Sequence, residues 1–137
     1  MFMRLSLSTS EHDEALDVTN AINQALKQNN CDQGFCHILV PHTTAAITVN
    51  EGYDSGIMLD VISTLDRLIP WQHNYVHMED NSAAHIKSIL VGAQITIAVN
   101  YGMLSLGQWQ SVFFLEFDGP RNREIHLTFS SSLEDIH

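Results

Sequence analysis

The segment YVHMEDNSAAH, residues 75–85, has the highest density of chemically capable side chains in the sequence. His77, Asn81 and His85 follow one another at spacings of four, and Glu79 lies between the first two. Imidazole and carboxylate groups ligate transition metals and transfer protons. Eight residues of straight helix rise about 12 Å, so both histidines reach one ion only if His77 precedes a helix that begins near Asn81. The alternative is two surface histidines beside a capped helix.

Two further motifs follow expected strands. PHTT contains His42, Thr43 and Thr44 just past a proline that cannot donate to a sheet ladder. This position suits a ligand or metal site, and the alternative is a turn whose hydroxyls bond the local backbone. NEGYD contains Asn50 and Glu51 where a strand gives way to a helix. They either cap that helix or supply an acidic ligand or a general base.

The few cations and aromatic residues near these motifs are candidates for holding a substrate. Arg121 follows the turn sequence FDGP and could grip a phosphate through two parallel hydrogen bonds, although a lone turn arginine is more often solvated. Lys87 is the second candidate cation. GQWQ contains Trp109 and Gln110 at the start of a strong strand, where a core or rim tryptophan is the plainer interpretation.

Composition narrows the class of protein. The chain has 137 residues, a size typical of one domain, and we predict a single domain over residues 1–137. Its formal charge is −10, from 6 basic and 16 acidic residues, which argues against a nucleic-acid partner. No apolar run approaches the roughly 20 residues of a membrane helix, and no secretory signal is evident, so we expect a cytoplasmic protein without a membrane partner.

Hydrophobic periodicity predicts mostly strands with two principal helices. The long helices are expected over 13–28 and 55–68, with a short one over 82–90. The turn DGPRNR is expected to join residues 108–117 and 124–130 as an antiparallel pair. The predicted class is α+β, a mainly antiparallel β-sandwich. The predicted strands lie at 3–8, 34–40, 44–50, 93–99, 108–117 and 124–130.

The order of the whole set of motifs is more specific than any one of them. PHTT…NE, then H-x-E-x-N-x-x-x-H, then GxWQ…FDGPR resembles the YjbQ family of small proteins, also called the secondary thiamine-phosphate synthase family. The resemblance runs from about residue 3 to residue 130. It implies a two-layer sandwich assembled as a homotrimer, with a polar site near the subunit boundary. A small residue usual in the family is here Asp80.

The resemblance also implies a site. His42, His77 and His85 match the family's histidine positions, and we expect them to hold a divalent metal. Three imidazoles favour zinc, with magnesium as the alternative. The expected catalytic groups are Glu51, Glu79 and Asn81. The expected substrate or phosphate contacts are Thr43, Thr44, Asn50, Lys87, Trp109, Gln110 and Arg121.

The implied activity joins a hydroxymethylpyrimidine diphosphate to a thiazole phosphate and releases pyrophosphate, whether as the main reaction or as a side activity. Its partner is therefore a phosphorylated small molecule. A departing diphosphate needs a metal or a guanidinium beside it, and phosphate-ester hydrolysis makes similar demands. Two alternatives stay open: a phosphate-ester hydrolase, and an accessory module that binds a metal or an anion without turnover.

Overall fold

The computed structural model describes residues 1–132, so residues 133–137 of the predicted domain lie outside the described part. The chain alternates strands with three helices, and every strand pair in this part is antiparallel. In chain order, the elements are β1 (Phe2–Ser8), β2 (Glu14–Asp17), α1 (Thr19–Gln28), β3 (Gly34–Leu39), β4 (Ala45–Glu51), α2 (Ser55–Leu68), α3 (Ser82–Val91), β5 (Gln94–Asn100), β6 (Met103–Leu104), β7 (Gln110–Glu116) and β8 (Asn122–Ser131).

The strands form two sheets around a shared core. The larger sheet has the order β1-β8-β3-β5-β6, and the smaller has the order β2-β7-β4. Ile38 and Leu127 of the larger sheet, Ile47 and Phe114 of the smaller, and Leu26 of α1 belong to one buried apolar cluster. Burying these side chains between the sheets removes their apolar surface from water, which is the main stabilising contribution to such a sandwich.

The smaller sheet is also covered on its other side. Phe113 and Leu115 of β7 point away from the shared core, into a second cluster with Met58 of α2 and Ala84 of α3. This explains why residues 108–117 are apolar without alternation, since both faces of β7 are buried within one chain. In β5, by contrast, Gln94 and Thr96 are exposed on the outer face.

The helix predicted over 13–28 is wrong in its first turn. Residues Glu14–Asp17 form β2, in which Leu16 pairs with Phe114 of β7, and α1 begins only at Thr19. Pairing with a strand nearly 100 residues away in the sequence overrides the local helical period. The Asp17 carboxylate then accepts a hydrogen bond from the Thr19 backbone N–H at 3.0 Å and marks the start of the helix.

The predicted antiparallel pairing of residues 108–117 with 124–130 is also wrong. The strand β7 belongs to the smaller sheet and β8 to the larger, so the segment between them crosses from one sheet to the other. Gly119 is required at this crossing, because a Cβ atom there would lie 2.3 Å from the carbonyl oxygen of Glu11. The remaining predicted strands and the helices over 55–68 and 82–90 are confirmed within two residues.

A buried ion pair holds the crossing together. The Arg123 guanidinium of β8 is paired with the Glu116 carboxylate of β7, and both side chains are almost fully buried. The Thr9 hydroxyl donates to Glu116 at 2.8 Å, and Arg123 Nη2 donates to the Thr44 hydroxyl at 2.9 Å. Burial alone would raise the pKa of Glu116, but the hydrogen bonds from Arg123, Thr9 and the Asp118 backbone outweigh it and lower that pKa.

Within residues 1–132, no helix is both long enough and apolar enough to cross a lipid bilayer.

We predict that Glu116→Gln lowers the free energy of unfolding by about 3–5 kcal/mol, because it leaves Arg123 buried without a counter-ion. Since the folded pKa of Glu116 is lowered, its contribution is present above about pH 4.5 and is lost as the pH falls through that lower pKa. Urea unfolding between pH 3 and 7 measures both effects. Glu124→Gln is the control on an accessible side chain, and an equal loss in both variants would contradict the prediction.

Candidate functional site

An open pocket of about 340 Å³ lies at the end of the smaller sheet where β4 begins. It brings together side chains that are up to 82 residues apart in the sequence, which no local motif could do. Seven of the thirteen predicted site residues meet there. The lining residues are Pro41, His42, Thr43, Thr44, Glu79, Asn81, His85, Arg121 and Arg123.

His42 is held in the connection between β3 and β4. Its Nε2 atom accepts a hydrogen bond from the Glu124 backbone N–H at 2.9 Å, so that nitrogen carries no proton. Burial lowers the pKa of His42, and the neighbouring Arg123 charge lowers it further. His42 is therefore a neutral imidazole at pH 7 with its proton on Nδ1. In this arrangement it offers a ligand a hydrogen-bond donor, and its one unprotonated nitrogen is already occupied.

His77 lies in the loop before α3, the position the sequence required if it was to approach His85, and the two rings are in contact. Their ring centroids are 5.1 Å apart in an edge-to-face arrangement, and His77 Nε2 lies 3.8 Å from the Glu79 carboxylate. His85 lines the same pocket as His42. His77 lies on the other side of His85, where it lines a different pocket. In this arrangement, no three His, Cys, Asp or Glu side chains among residues 1–132 converge closely enough to hold a metal ion.

Asn81 stands at the N-cap position of α3 but makes no capping hydrogen bond. Its side-chain nitrogen instead donates to the Asp118 carboxylate at 3.0 Å. Its side-chain oxygen is buried and has no partner among the described residues. An unpaired buried acceptor is costly, so this oxygen is suited to a ligand that brings a hydrogen-bond donor or a positive charge.

Both arginines of the pocket already face carboxylates. Arg121 is half-exposed and donates from Nη2 to the Asp118 carboxylate at 2.9 Å and from Nε to the Asp118 carbonyl at 2.6 Å. Arg123 is engaged by Glu116. With Glu79 adding another negative charge, the pocket offers an entering phosphate little uncompensated positive charge.

Another group of predicted site residues lies at the opposite end of β4. Asn50 and Glu51 end that strand, about 20 Å from Thr44 along the strand axis. Trp109 is half-exposed and packs edge-to-face on Tyr53, with ring centroids 5.1 Å apart. Gln110 accepts a hydrogen bond from the Gly107 backbone at 2.8 Å. Within one chain, these residues do not reach the pocket lined by His42 and His85, which we call the histidine pocket.

The fold and the order of these motifs agree with the comparisons with known proteins. A family profile described as UPF0047 protein YjbQ-like matches residues 3–132. The chain belongs to the YjbQ family. A UPF0047 protein of Methanocaldococcus jannaschii is 44% identical over 127 residues, which is 93% of this chain and 92% of that protein. The UPF0047 protein YugU of Bacillus subtilis is 41% identical over 128 residues, which is 93% of this chain and 97% of that protein.

Solved structures match equally well. A crystal structure of an uncharacterised YjbQ/UPF0047 protein from Clostridium acetobutylicum has a TM-score of 0.89 and 39% identity, and the match covers 93% of this chain and 99% of that one. A hypothetical protein from Aeropyrum pernix has a TM-score of 0.91 and 31% identity, over 96% of this chain and 99% of that one. The mixed α+β fold with antiparallel sheets and three helices is therefore the YjbQ-family fold.

Lys87, predicted to bind phosphate, lies elsewhere in this YjbQ-family fold. Its side chain is fully buried, and its ammonium group donates to Asp13 at 3.0 Å and to Asp66 at 3.2 Å. It does not line the histidine pocket. Lys87 is two residues past His85, and residues at that spacing do not share a helix face, so it faces Phe117 of the second apolar cluster instead of the pocket.

Arg123 lines the pocket, and Asp118 contacts two of its lining residues, Asn81 and Arg121; neither is among the predicted site residues. Both belong to the FDGPRNR segment, from which only Arg121 was predicted to bind a ligand. The aspartate of a DGP turn is usually explained by the turn itself, and Arg123 sits in an alternating strand. Only the crossing between the sheets turns these side chains toward Asn81 and Thr44.

We predict that Lys87→Met lowers the free energy of unfolding by about 3 kcal/mol, because Asp13 is left largely buried without its cation. Phosphate affinity should stay within a factor of about two, since Lys87 lies outside the pocket. Urea unfolding and a phosphate titration of the folded protein measure the two effects, with the exposed Lys27→Met as control. A tenfold loss of phosphate affinity at unchanged stability would restore Lys87 as a phosphate ligand.

Proposed function

We propose that this YjbQ-family protein is a metal-dependent enzyme acting on a phosphorylated small molecule in the histidine pocket. The reaction favoured is the one implied by the family resemblance, thiamine-phosphate synthesis from a hydroxymethylpyrimidine diphosphate and a thiazole phosphate. The observation that carries this proposal is the convergence of His42, His85, Thr43 and Arg121 on one open pocket. Imidazoles, a hydroxyl and a guanidinium together are the groups used to bind phosphates and move protons.

The reaction defines what the pocket must do. The bond between the pyrimidine methylene carbon and the diphosphate oxygen breaks, the thiazole nitrogen bonds to that carbon, and the electron pair leaves on pyrophosphate. The leaving group gains negative charge, which Arg121 stabilises with the donors that Asp118 does not use. The exposed Thr43 hydroxyl donates to a phosphate oxygen, while the Thr44 hydroxyl is already occupied by Arg123. The condensation itself releases no proton; Glu79 is the exposed carboxylate that would serve as a base in the alternative, hydrolysis of a phosphate ester.

The charge balance of the pocket supports the proposal of a bound metal ion. Arg121 and Arg123 are each neutralised by a carboxylate, so a multiply charged diphosphate needs another cation. We propose zinc, held by His42, His77 and His85, and magnesium is the alternative. His42 would ligate through Nε2, its unprotonated nitrogen, and would have to exchange the Glu124 N–H for the ion. Because the three imidazoles do not converge in the described arrangement, the loop that carries His77 must shift for them to close around an ion.

A homotrimer would explain the two separated groups of site residues. Glu51 and Trp109 lie far from the histidines of their own chain, and a neighbouring copy could bring its own pair to the pocket. The exposed apolar side chains next to the pocket, notably Met78 at 92% and Ile89 at 83% exposure, support such a contact. The strand β7 does not supply such a contact, because both of its faces are buried within one chain.

The proposed activity predicts that zinc-loaded protein forms thiamine phosphate and pyrophosphate from the two substrates. Arg121→Ala should weaken diphosphate binding tenfold to a hundredfold, because each charge-assisted hydrogen bond is worth about 1.5–3 kcal/mol. Arg121→Lys should weaken it less, since it keeps the charge and loses the planar fork. Isothermal titration and product chromatography measure these effects, with the exposed Arg67→Ala as control.

The same assay separates the alternatives. Release of inorganic phosphate from a panel of phosphate esters, without condensation, would assign a hydrolase. Tight binding of both substrates without any product would assign an accessory binding module.

The proposed metal site predicts that His77→Ala and His85→Ala each lose bound zinc while keeping the circular-dichroism spectrum of the parent. His37 is the matched control, because it sits on the outer face of the larger sheet and bonds Thr96 and Gln94. Metal content is measured by mass spectrometry after dialysis against dilute zinc. Unchanged zinc content in both variants would eliminate these histidines as ligands.

The proposed assembly predicts a particle of about three times the 15.4 kDa chain mass. Ile89→Asp should shift it toward the monomer, because it would bury a charge in the contact. Light scattering at micromolar concentration measures the mass, with Asp60→Asn as the control on α2. A parent protein that scatters as a monomer would defeat the trimer.

A further inference from the structure

The side chain of Asp118 sits where three segments meet: the crossing between the sheets, the start of α3 and the segment that contains His12. It is only 14% exposed and follows β7 at the crossing between the sheets. Its backbone N–H donates to the Glu116 carboxylate at 3.0 Å, so the buried ion pair fixes its main chain. Its carboxylate contacts Asn81 and Arg121, and its other oxygen lies 3.8 Å from His12 Nε2.

The contact between Asp118 and Asn81 decides which way the amide faces. A carboxylate only accepts hydrogen bonds, so the amide must present its nitrogen to Asp118, as it does at 3.0 Å. The amide oxygen then faces the other way, where it is buried and has no partner among the described residues. An asparagine before a helix ordinarily turns this oxygen onto the first helical N–H groups, and Asn81 does not.

We infer that Asp118 is a positioning residue of the histidine pocket, which holds the Asn81 amide with its oxygen toward the ligand. A carbonyl oxygen accepts hydrogen bonds and ligates cations, and it repels phosphate oxygens. The space facing Asn81 therefore receives the cationic or N–H/O–H-bearing part of the ligand, while Arg121 receives the anionic part. This assignment of the two ends of the ligand rests on the proposed function, whereas the orientation of Asn81 does not.

Asp118 couples the two halves of the pocket through one oxygen. The same Oδ2 atom accepts from Asn81 Nδ2 at 3.0 Å and from Arg121 Nη2 at 2.9 Å. Moving the carboxylate would therefore release the Asn81 amide and the Arg121 Nη2 group together, while Arg121 Nε keeps its hydrogen bond to the Asp118 backbone carbonyl. An apolar residue of the same size removes both contacts, whereas an asparagine at position 118 can keep a carbonyl oxygen in place for the Asn81 amide.

Side-chain amide exchange in the ligand-free protein tests the orientation. In the parent, the Asn81 amide protons should exchange about tenfold or more slowly than those of the exposed Asn74, because they are bonded to a carboxylate. Asp118→Leu should abolish this difference, Asp118→Asn should retain most of it, and the surface control Asp60→Leu should leave it unchanged. Equal protection in the parent and in Asp118→Leu would overturn the positioning role, and thermal unfolding confirms that each variant is folded.

The ligand assignment is tested with probes on the same amide resonance. Zn²⁺ alone is the cation probe. Phosphoethanolamine is a phosphate that carries N–H donors, and propyl phosphate is the matched phosphate without them. At least one of Zn²⁺ and phosphoethanolamine should shift the Asn81 signal in the parent but not in Asp118→Leu, and propyl phosphate should shift it less. If neither shifts it, the assignment is overturned. Failure of the proposed function alone would show as absent turnover with the amide protection intact.

Discussion

The buried pair between Glu116 and Arg123 is the interaction on which this structure depends. Two charges removed from water are stable only when almost every donor and acceptor is used, and here Thr9, Thr44 and two backbone N–H groups complete the set. Because the partners belong to different sheets, these demands fix how the sheets meet. The pocket lies beside this ion pair, so the contacts that fix the two sheets also fix the positions of the residues that line the pocket.

The fold was predictable where the signals are local. The helix over 55–68 was predicted with its final boundaries, since Asp54 caps it with a 2.9 Å hydrogen bond and Pro70 follows its end. The strand Glu14–Asp17 was not predicted, because its four residues fit the first turn of α1 equally well. Only the pairing of these residues with β7 distinguishes a strand from a helix here. The same limitation hid the crossing between the sheets, which resembles a hairpin turn in sequence.

The candidate site was likewise predictable only where its sequence signals are local. The spacing of His77, Asn81 and His85 predicted a loop followed by a helix beginning near Asn81, and α3 does begin at Ser82. Asp80 adopts a left-handed backbone with φ of 58°, a conformation that aspartate tolerates better than most other residues do. The burial of Lys87 was beyond prediction, because it depends on which face of α3 meets the smaller sheet.

The interior position of β8 in the larger sheet determines when this sheet can form during synthesis. This strand lies between β1 and β3, so the first strand to leave the ribosome has no neighbour until residues 122–131 have been made. Glu124, Arg121 and Arg123 arrive with the same segment. A nascent chain that lacks it has the strands of the smaller sheet and can pair β3 with β5, but it can complete neither the larger sheet nor the pocket, and the edge of β3 stays open to aggregation. Translation must therefore pass residue 131 before the protein can bind anything at this site.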